Sequence, residues 1–410
     1  MTLIFIILIL GVLCLYILYI CLYRRQFKGQ DRLFIMDPED EFRNYPMATY
    51  KLETIDDKLF DYIVSIYTPL LADKKSPFRL ECDTRESWTY SDVDSDIIAS
   101  YTFKKIDTIV GIDKLSVAKE TAENPNKIKF FIASNGFILC GSHLLHNSLS
   151  LFNLTRYIMN CKELKLPYYR YVPIYNEIMC LKTLPLMYHI YTSYRPSLSY
   201  DYDWKKTDMR ALVKIKYNLS LVKTIKNQFN KESMVSFSSI FTAIQALTFF
   251  YASSKKQLII GIISAFSNKS HFNNFGSIPV VVQRPPDLAD ESKFKLNLEN
   301  IIKQINDEVK LKRNILMALF SLTNIYNQRI ESNKYCDIIM TGIPMSDSQL
   351  LLNNRPLESV SGSLGYTAMP VYILYLSDNK YIYTSQHIFS NDVDLTKLDY
   401  INQNINRLLE

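Results

Sequence analysis

The stretch Lys127–Leu154 reads KIKFFIASNGFILCGSHLLHNSLSLFNL. It predicts two buried strands, a loop that carries two histidines, and a helix. Apolar runs flank Asn135-Gly136, and Asn-Gly between such runs is a strong indication of a β-hairpin. His143 follows the second strand and precedes the predicted helix. Neutral imidazole accepts a proton from an alcohol near physiological pH, so His143 is a candidate general base. A partly buried histidine with a structural role fits the same pattern, and the pattern alone does not separate the two.

Apolar periodicity predicts further elements on both sides of this stretch. Helices are predicted at Leu59–Leu71, Asn147–Asn160, Leu221–Phe229, Val235–Tyr251 and Leu395–Leu409, with one or two more at Phe294–Tyr326. Strands are predicted at Ala211–Tyr217, Leu258–Phe266 and Asp337–Ile343, with a second hairpin at Met369–Ile388. Residues 163–206 are rich in Tyr and Pro and are interpreted as a crossover. Mixed strands, hairpins and helices indicate an α/β fold with mixed α+β sheets in two lobes.

The composition is typical of a globular protein. Of the 410 residues, 48% are hydrophobic and 21% are charged, which excludes a wholly disordered or collagen-like chain. The length predicts two or three domains, at roughly 100–200 residues per domain. The 47 basic and 41 acidic residues give a formal net charge of +6 without a long basic run. Nucleic acid is therefore not a predicted partner.

An uncharged apolar segment, Thr2–Tyr23, predicts a membrane anchor over residues 1–23. As a helix it spans roughly 33 Å, which is enough for a bilayer core of about 30 Å. No basic residue precedes it and bulky residues end it, which favours an uncleaved anchor over a signal peptide. A basic flank follows at Arg24, Arg25, Lys28 and Arg32. The positive-inside rule then predicts a single-pass membrane protein with its main body in the cytosol, after a juxtamembrane linker at residues 24–44.

Several catalytic motifs are absent from the sequence. It contains no GxxxxGKS/T, GxGxxG, GxSxG, HExxH or CxxC, so phosphate loops, dinucleotide fingerprints, nucleophile elbows and zinc spacings are not supported. A catalytic histidine must be one of five: His143, His146, His189, His271 and His387. His143 and His146 lie three residues apart, but no carboxylate or third ligand accompanies them. We therefore predict no metal site.

The stretch Ser142–Ser150, SHLLHNSLS, resembles the HHxxxDGxS motif of the CoA-dependent acyltransferase superfamily. This superfamily includes chloramphenicol acetyltransferase, condensation domains, alcohol acetyltransferases and wax ester synthase/diacylglycerol acyltransferases. His143 falls on the second histidine of the motif, which is the catalytic one. Asn147 falls on the Asp, Ser148 on the Gly and Ser150 on the Ser, while a serine replaces the first histidine. The motif is therefore degenerate in this chain.

Other segments resemble the same superfamily and occur in the family order. SPFR at Ser76–Arg79 resembles an early segment whose Arg pairs with the motif Asp. FNNFGSIPVVV at Phe272–Val282 and IIMTGIP at Ile338–Pro344 resemble two strands of the second lobe, the latter near the channel. Val235–Leu247 resembles the buried helix that precedes these strands in the family. Tyr372–Asp392 resembles the terminal strands, and Leu395–Leu409 resembles the last helix.

The resemblance implies two chloramphenicol-acetyltransferase-like lobes in a V, at residues 45–206 and 207–410, with a tunnel between them. His143 would deprotonate an acceptor hydroxyl that attacks the thioester of acyl-CoA, which is a co-substrate; no cofactor is bound. Support of the motif loop is implied for Asn147, Arg79 and Ser150. Candidates for lining the substrate channel are Asn274, Gly276 and Thr341.

Two functions follow from this resemblance. The first is a membrane-anchored O-acyltransferase that moves an acyl group from acyl-CoA to an apolar, lipid-like alcohol. The alternative is a catalytically inactive protein of the same fold with a structural or interaction role at a membrane. Such a protein would bind a protein partner, and a large DNA virus is a candidate source. Asn147 in place of Asp weakens the support of the motif loop without removing it, because a hydrogen bond between neutral groups contributes about 0.5–1.5 kcal/mol against about 1.5–3 kcal/mol for a charged one.

Overall fold

The computed structural model describes residues 9–16, 45–84, 87–142, 145–146, 148–159, 209–229, 235–265, 275–288, 290–326, 336–344, 349–363 and 370–410. The predicted crossover at 163–206, the predicted linker at 24–44 and the predicted lobe boundary at 206/207 lie outside these ranges.

The predicted hairpin is confirmed and lies in the middle of a six-stranded sheet. Ala133 pairs with Gly136 next to the turn, and Ile128 pairs with Gly141 at the far end. The strands of this sheet are β1 (Met47–Leu52), β4 (Phe103–Lys105), β5 (Ile128–Ala133), β6 (Gly136–Gly141), β11 (Leu351–Leu352) and β12 (Arg355–Ser363). They are ordered β11-β12-β1-β6-β5-β4, and a separate ribbon pairs β2 (Leu80–Thr84) with β3 (Ser87–Tyr90).

Helices cover both faces of this first sheet and complete the first lobe. They are α1 (Leu59–Ala72), α2 (Ser95–Thr102), α3 (Lys114–Glu123) and α4 (Ser148–Ile158). Helices α1 and α4 share one apolar cluster with Phe130 and Phe137, whereas α3 packs Val117 on the other face. The hydroxyl of Tyr67 in α1 donates to the carbonyl of Leu154 in α4 over 2.6 Å. Both strands of the hairpin are buried because helices pack on both faces of the sheet, and this explains their continuous apolar sequence.

The second lobe contains the second six-stranded sheet. Its strands are β7 (Ala211–Asn218), β8 (Gln257–Ala265), β9 (Phe275–Gln283), β10 (Ile338–Pro344), β13 (Val371–Ser377) and β14 (Tyr381–Ile388), ordered β7-β14-β13-β10-β8-β9. Its helices are α5 (Leu219–Phe229), α6 (Phe237–Tyr251), α7 (Phe294–Tyr326) and α8 (Leu395–Leu409). The predicted second hairpin is β13–β14, and the long helical stretch at 294–326 is one helix. Helix α6 is buried nearly all round, as its apolar sequence predicts.

The two lobes are joined by strand β12. It lies late in the chain, after most of the second sheet, yet it pairs along β1 of the first sheet from Met47↔Ser363 to Leu52↔Leu357. Ile339, Tyr372 and Leu374 of the second sheet belong to the same apolar cluster as the core of the first lobe. The region where β12 packs on β13 and β14 is called the lobe junction below.

Residues 9–16 of the predicted anchor are helical. Within the part of the chain that the structure describes, no helix is both long enough and apolar enough to cross a membrane.

We expect Gly136→Ala to destabilise the protein more than Gly111→Ala does. Both glycines have a positive φ, +145° and +73°, but a Cβ at 136 would lie 2.0 Å from the backbone oxygen of Tyr50, whereas a Cβ at 111 would meet nothing within 4 Å. Both variants lose stability because alanine disfavours a positive φ. In Gly136→Ala the steric clash adds about 1–3 kcal/mol to that loss. Urea unfolding of the two variants measures the difference, and equal losses would contradict the packing of the hairpin turn against β1.

Candidate active site

The candidate catalytic loop connects two well-packed elements. Strand β6 ends at Gly141 and helix α4 begins at Ser148, so residues 142–147 form the connection. Strand β6 lies between β1 and β5, near the centre of the first sheet. His143 and Asn147 lie outside the described residues, as do the side chains of Ser148 and Ser150. The structure therefore fixes both ends of the loop, and the predicted roles of these residues remain predictions.

Backbone hydrogen bonds close this loop on both sides of residue 143. Ser142 donates its N–H to the carbonyl of Lys127 over 2.7 Å, which continues the β5–β6 ladder. His146 donates its N–H to the carbonyl of Ser142, also over 2.7 Å. This bond brings the two ends of the segment 142–146 together.

His146 is a structural histidine that anchors the loop to the protein interior. Its side chain is fully buried. Its Nε2 lies 3.0 Å from the backbone oxygen of Asn126, so Nε2 carries the proton and donates it. Burial lowers the pKa of His146 to about 4, although that hydrogen bond acts in the opposite direction. His146 is therefore neutral at physiological pH.

Asn126 connects the histidine loop to the segment that contains Arg79. Its side-chain amide is fully buried. Nδ2 donates to the carbonyl of Phe78 over 3.0 Å and to the hydroxyl of Thr102 over 2.9 Å. Oδ1 accepts from the N–H of Ile128 over 3.3 Å. Asn126 is not among the predicted site residues, and its only local indication is its place in the turn Asn124-Pro125-Asn126 just before a buried strand.

Arg79 is buried and holds three separate segments together. Its Nε donates to the carbonyl of Leu71 over 2.8 Å, and its Nη1 donates to the carbonyls of Ser91 (3.0 Å) and Val93 (2.8 Å). Its Nη2 donates to the hydroxyl of Ser95 over 3.1 Å. These carbonyls solvate the guanidinium in place of water, as a buried charge requires. The predicted pairing of Arg79 with Asn147 stays a prediction because Asn147 is not described.

Two of the three channel candidates lie at the same end of the second sheet. Thr341 in β10 pairs with Ile263 of β8, and Gly276 in β9 pairs with Ser264, the next residue of β8. Alternation places Thr341 on the face of Ile339, which packs against the core of the first lobe. Thr341 is half-buried there. Asn274 lies outside the described residues, and lining of a channel by these three residues remains a prediction.

His387 is the other histidine that the structure describes, and it lies at the lobe junction. Its Nε2 is 2.6 Å from the backbone oxygen of Gly362 in β12, which accepts its proton. Burial is the main cause that lowers the pKa of His387 to about 4, and the charges of Lys114 and Lys214 lower it further. Neutral His387 therefore links the two sheets.

Within the described residues, no group of three or more His, Cys, Asp or Glu side chains could hold a metal ion.

Comparisons with known proteins identify the fold. Neither the family models nor the curated proteins include a match to this sequence. Among solved structures, the wax ester synthase/diacylglycerol acyltransferase from Marinobacter aquaeolei VT8 is 12% identical with a TM-score of 0.55, over 94% of this chain and 98% of that one. The trichothecene 15-O-acetyltransferase from Fusarium sporotrichioides is 11% identical with a TM-score of 0.58, over 94% and 95%. The starter condensation domain of rhizomide synthetase, solved with C8-CoA and Leu-SNAC, is 8% identical with a TM-score of 0.56, over 95% and 94%.

These three structures all belong to the CoA-dependent acyltransferase superfamily. The chain therefore has the mixed α/β fold of chloramphenicol-acetyltransferase-like acyltransferases, as the resemblance predicted. Identities of 8–12% show the fold and leave the chemistry to the residues of this chain.

We expect Arg79→Lys to destabilise the protein by about 3 kcal/mol or more. A lysine has one ammonium nitrogen, which cannot reach all the acceptors that the three guanidinium nitrogens of Arg79 bond. Two or more buried carbonyls would therefore lose their hydrogen-bond donor, at a cost of about 1–3 kcal/mol each. Arg407→Lys is the matched control, because Arg407 is an exposed residue paired with Glu291 at 3.2 Å. Urea unfolding measures both variants. A loss as small as that of Arg407→Lys would contradict a bracing role for Arg79.

The neutral histidines predict a loss of stability in acid. The folded-state pKa of His146 is about 4, against about 6.5 in an unfolded chain. The unfolded state therefore binds the additional proton between these values, and stability is complete above about pH 6.5 and is lost as the pH falls toward 4.

The variant His146→Gln isolates this contribution, because Gln keeps a donor for Asn126 and does not titrate. We expect the dependence of the unfolding free energy on pH to become shallower by up to about 1.4 kcal/mol per pH unit between pH 4 and 6.5. His387→Gln should show a similar change, since its pKa is also about 4. An unchanged slope in His146→Gln would show that His146 titrates normally in the folded state.

Proposed function

We propose that this protein is an acyltransferase that uses His143 as a general base to move an acyl group from acyl-CoA to a hydroxyl acceptor. The observation that carries the proposal is the similarity of fold, over 94% of the chain, to a wax ester synthase/diacylglycerol acyltransferase and to an O-acetyltransferase. A third similar structure was solved with C8-CoA, which supports acyl-CoA as the donor. No resident cofactor is needed for this chemistry.

The reaction is a direct transfer. His143 takes the proton of the acceptor hydroxyl while the hydroxyl oxygen attacks the thioester carbon. The tetrahedral intermediate then collapses, the C–S bond breaks, and the CoA sulfur leaves with the proton that His143 returns. General-base catalysis of this kind contributes about 10²–10⁴-fold in rate. The mechanism requires no covalent acyl-enzyme, which agrees with the absence of a GxSxG motif.

Hydrogen bonds hold both ends of the loop that contains residue 143. The turn from Ser142 to His146 is closed by a hydrogen bond, and His146 is held on Asn126 by a second one. Asn126 in turn bonds the residue before Arg79. These contacts tie the loop to the backbone of Phe78, and none of them involves Asn147. The replacement of the motif Asp by Asn147 therefore removes one charged support and leaves the others in place.

We further propose that the acceptor is an apolar, lipid-like alcohol and that Thr2–Tyr23 anchors the protein in a membrane, with the main body in the cytosol. Support for the anchor comes from the uncharged apolar sequence of that segment and the basic residues after it. In this proposal residues 45–206 and 207–410 form the two lobes, except that β12 crosses into the first sheet. Ser150 supports the motif, and Asn274, Gly276 and Thr341 line the substrate channel.

The test is release of free CoA thiol by purified protein from short- and long-chain acyl-CoA in the presence of a panel of alcohols. We expect release by the unmodified protein and a loss of about 10²-fold or more in His143→Ala. His189→Ala is the matched control, because it removes a histidine that the mechanism does not use, and its rate should be unchanged. Ester product is identified by mass spectrometry.

A folded, unmodified protein that releases no more thiol than His143→Ala would contradict the proposal. That outcome would favour the catalytically inactive member of the fold that binds a protein partner at a membrane.

A further inference from the structure

The two-stranded ribbon β2–β3 packs against the histidine loop. Its strands pair in antiparallel register, with Leu80 opposite Tyr90 and Cys82 opposite Trp88. Residues opposite each other in a ladder, and residues two apart in one strand, project to the same side, so these side chains form one face of the ribbon. On that face Leu80 and Trp88 share a buried apolar cluster with Leu145 of the loop.

The ribbon depends on this packing for its order. An isolated two-stranded ribbon is marginally stable at best in water, and an apolar face that packs on another element stabilises it. The side chains of Leu80, Trp88 and Leu145 are 2%, 6% and 1% exposed. Cys82 and Tyr90 pack around them, and the ring of Tyr90 meets that of Trp88 edge-on at 5.4 Å between centroids. The ribbon and the loop therefore cover each other through Leu145.

Arg79 fixes the base of the ribbon. The N–H of Ser91 donates to the carbonyl of Arg79 over 2.7 Å, one step beyond the pair of Leu80 and Tyr90. In return, Nη1 of Arg79 donates to the carbonyl of Ser91 over 3.0 Å. The two strands are thus held together where the chain enters and leaves the ribbon, and the surface on which Leu145 packs is fixed.

Two consecutive residues of the loop are held by different parts of the first lobe. Leu145 packs on the ribbon, whereas Nε2 of His146 donates to the carbonyl of Asn126 over 3.0 Å. The N–H of His146 also donates to the carbonyl of Ser142. His143 lies two residues before Leu145, so few rotatable bonds separate it from these contacts.

We propose that Leu145 and Trp88 are positioning residues for His143, because the ribbon holds the histidine loop where His143 takes the proton of the acceptor hydroxyl. This inference rests on the proposed function. Catalysis by a positioned base depends on geometry, and a displacement of about 1 Å can cost about 10²-fold in rate. Neither residue contacts the substrate in this role, so its loss should lower kcat and leave the KM for acyl-CoA nearly unchanged.

The first test is hydrogen exchange of residues 142–146 in Trp88→Ala, a variant in which the sequence of the loop is unaltered. We expect the amides of this segment to exchange about tenfold faster or more, because Leu145 loses its cover. Phe294→Ala is the matched control, because it removes a fully buried ring from the second lobe. Exchange of the loop in that control should stay within about twofold of the unmodified protein. If Trp88→Ala does not fold by circular dichroism, Trp88→Leu supplies the same comparison with a smaller truncation.

The second test is the rate of thiol release by Leu145→Ala. We expect kcat to fall by about tenfold or more with the KM for acyl-CoA within about twofold. Leu145→Met should restore kcat, because it keeps an apolar side chain of similar volume. Leu59→Ala is the matched control, since it makes the same truncation in a separate buried cluster of the first lobe, and its kcat should stay within about twofold.

Unchanged exchange of the loop in Trp88→Ala would overturn the proposal. Thiol release with an unchanged kcat in Leu145→Ala would also overturn it and would leave acyl transfer in place. No thiol release by the unmodified protein would instead reject the proposed function, and with it the positioning role. The exchange measurement would then still decide whether the ribbon holds the loop.

Discussion

The pairing of β12 with β1 is the constraint on which the rest of the structure depends. These two strands are about 300 residues apart in the chain, and their backbone hydrogen bonds continue over nearly the whole of β1. The pairing carries a segment from the second half of the chain into the first sheet. Leu357 and Val360 of β12 are buried in the core of the first lobe. A buried edge of β1 without this partner would leave its N–H and C=O groups unsatisfied, at a cost of about 1–3 kcal/mol each. The position of one lobe against the other follows from this ladder.

The same constraint places the polar groups at the lobe junction. Gly362 of β12 has no side chain where a Cβ would lie 1.6 Å from Leu374 of the second sheet, so the two sheets approach closely there. That approach brings the carbonyl of Gly362 to His387 and excludes water from the imidazole.

Support for the histidine loop comes from burial of uncharged polar groups. His146 and Asn126 are fully buried, and their hydrogen bonds run from the loop to the backbone of Phe78, the residue before Arg79. Such a chain of bonds is rigid because each member that loses its partner would be left unsatisfied in a medium of low dielectric constant. The family resemblance assigns support of the loop to a single pair, Arg and Asp. In this chain Arg79 donates to three backbone carbonyls in two segments, at Leu71 and at Ser91 and Val93, which helps to explain how a degenerate motif is compatible with an ordered first lobe.

The sequence by itself determined the elements whose pattern is local. The Asn-Gly turn, the buried hairpin, the apolar helix α6 and the amphipathic helix α8 were all predicted from residues next to one another, and the order of family-like segments predicted the fold. Strand β12, RPLESVSGS, was missed because proline, glycine and serines give it little intrinsic preference for a strand. Only pairing with β1 makes it one. The role of Asn126, the carbonyl partners of Arg79 and the bond from His387 to Gly362 also depend on the tertiary structure. Each depends on contacts between residues far apart in the chain, and no local period records such contacts.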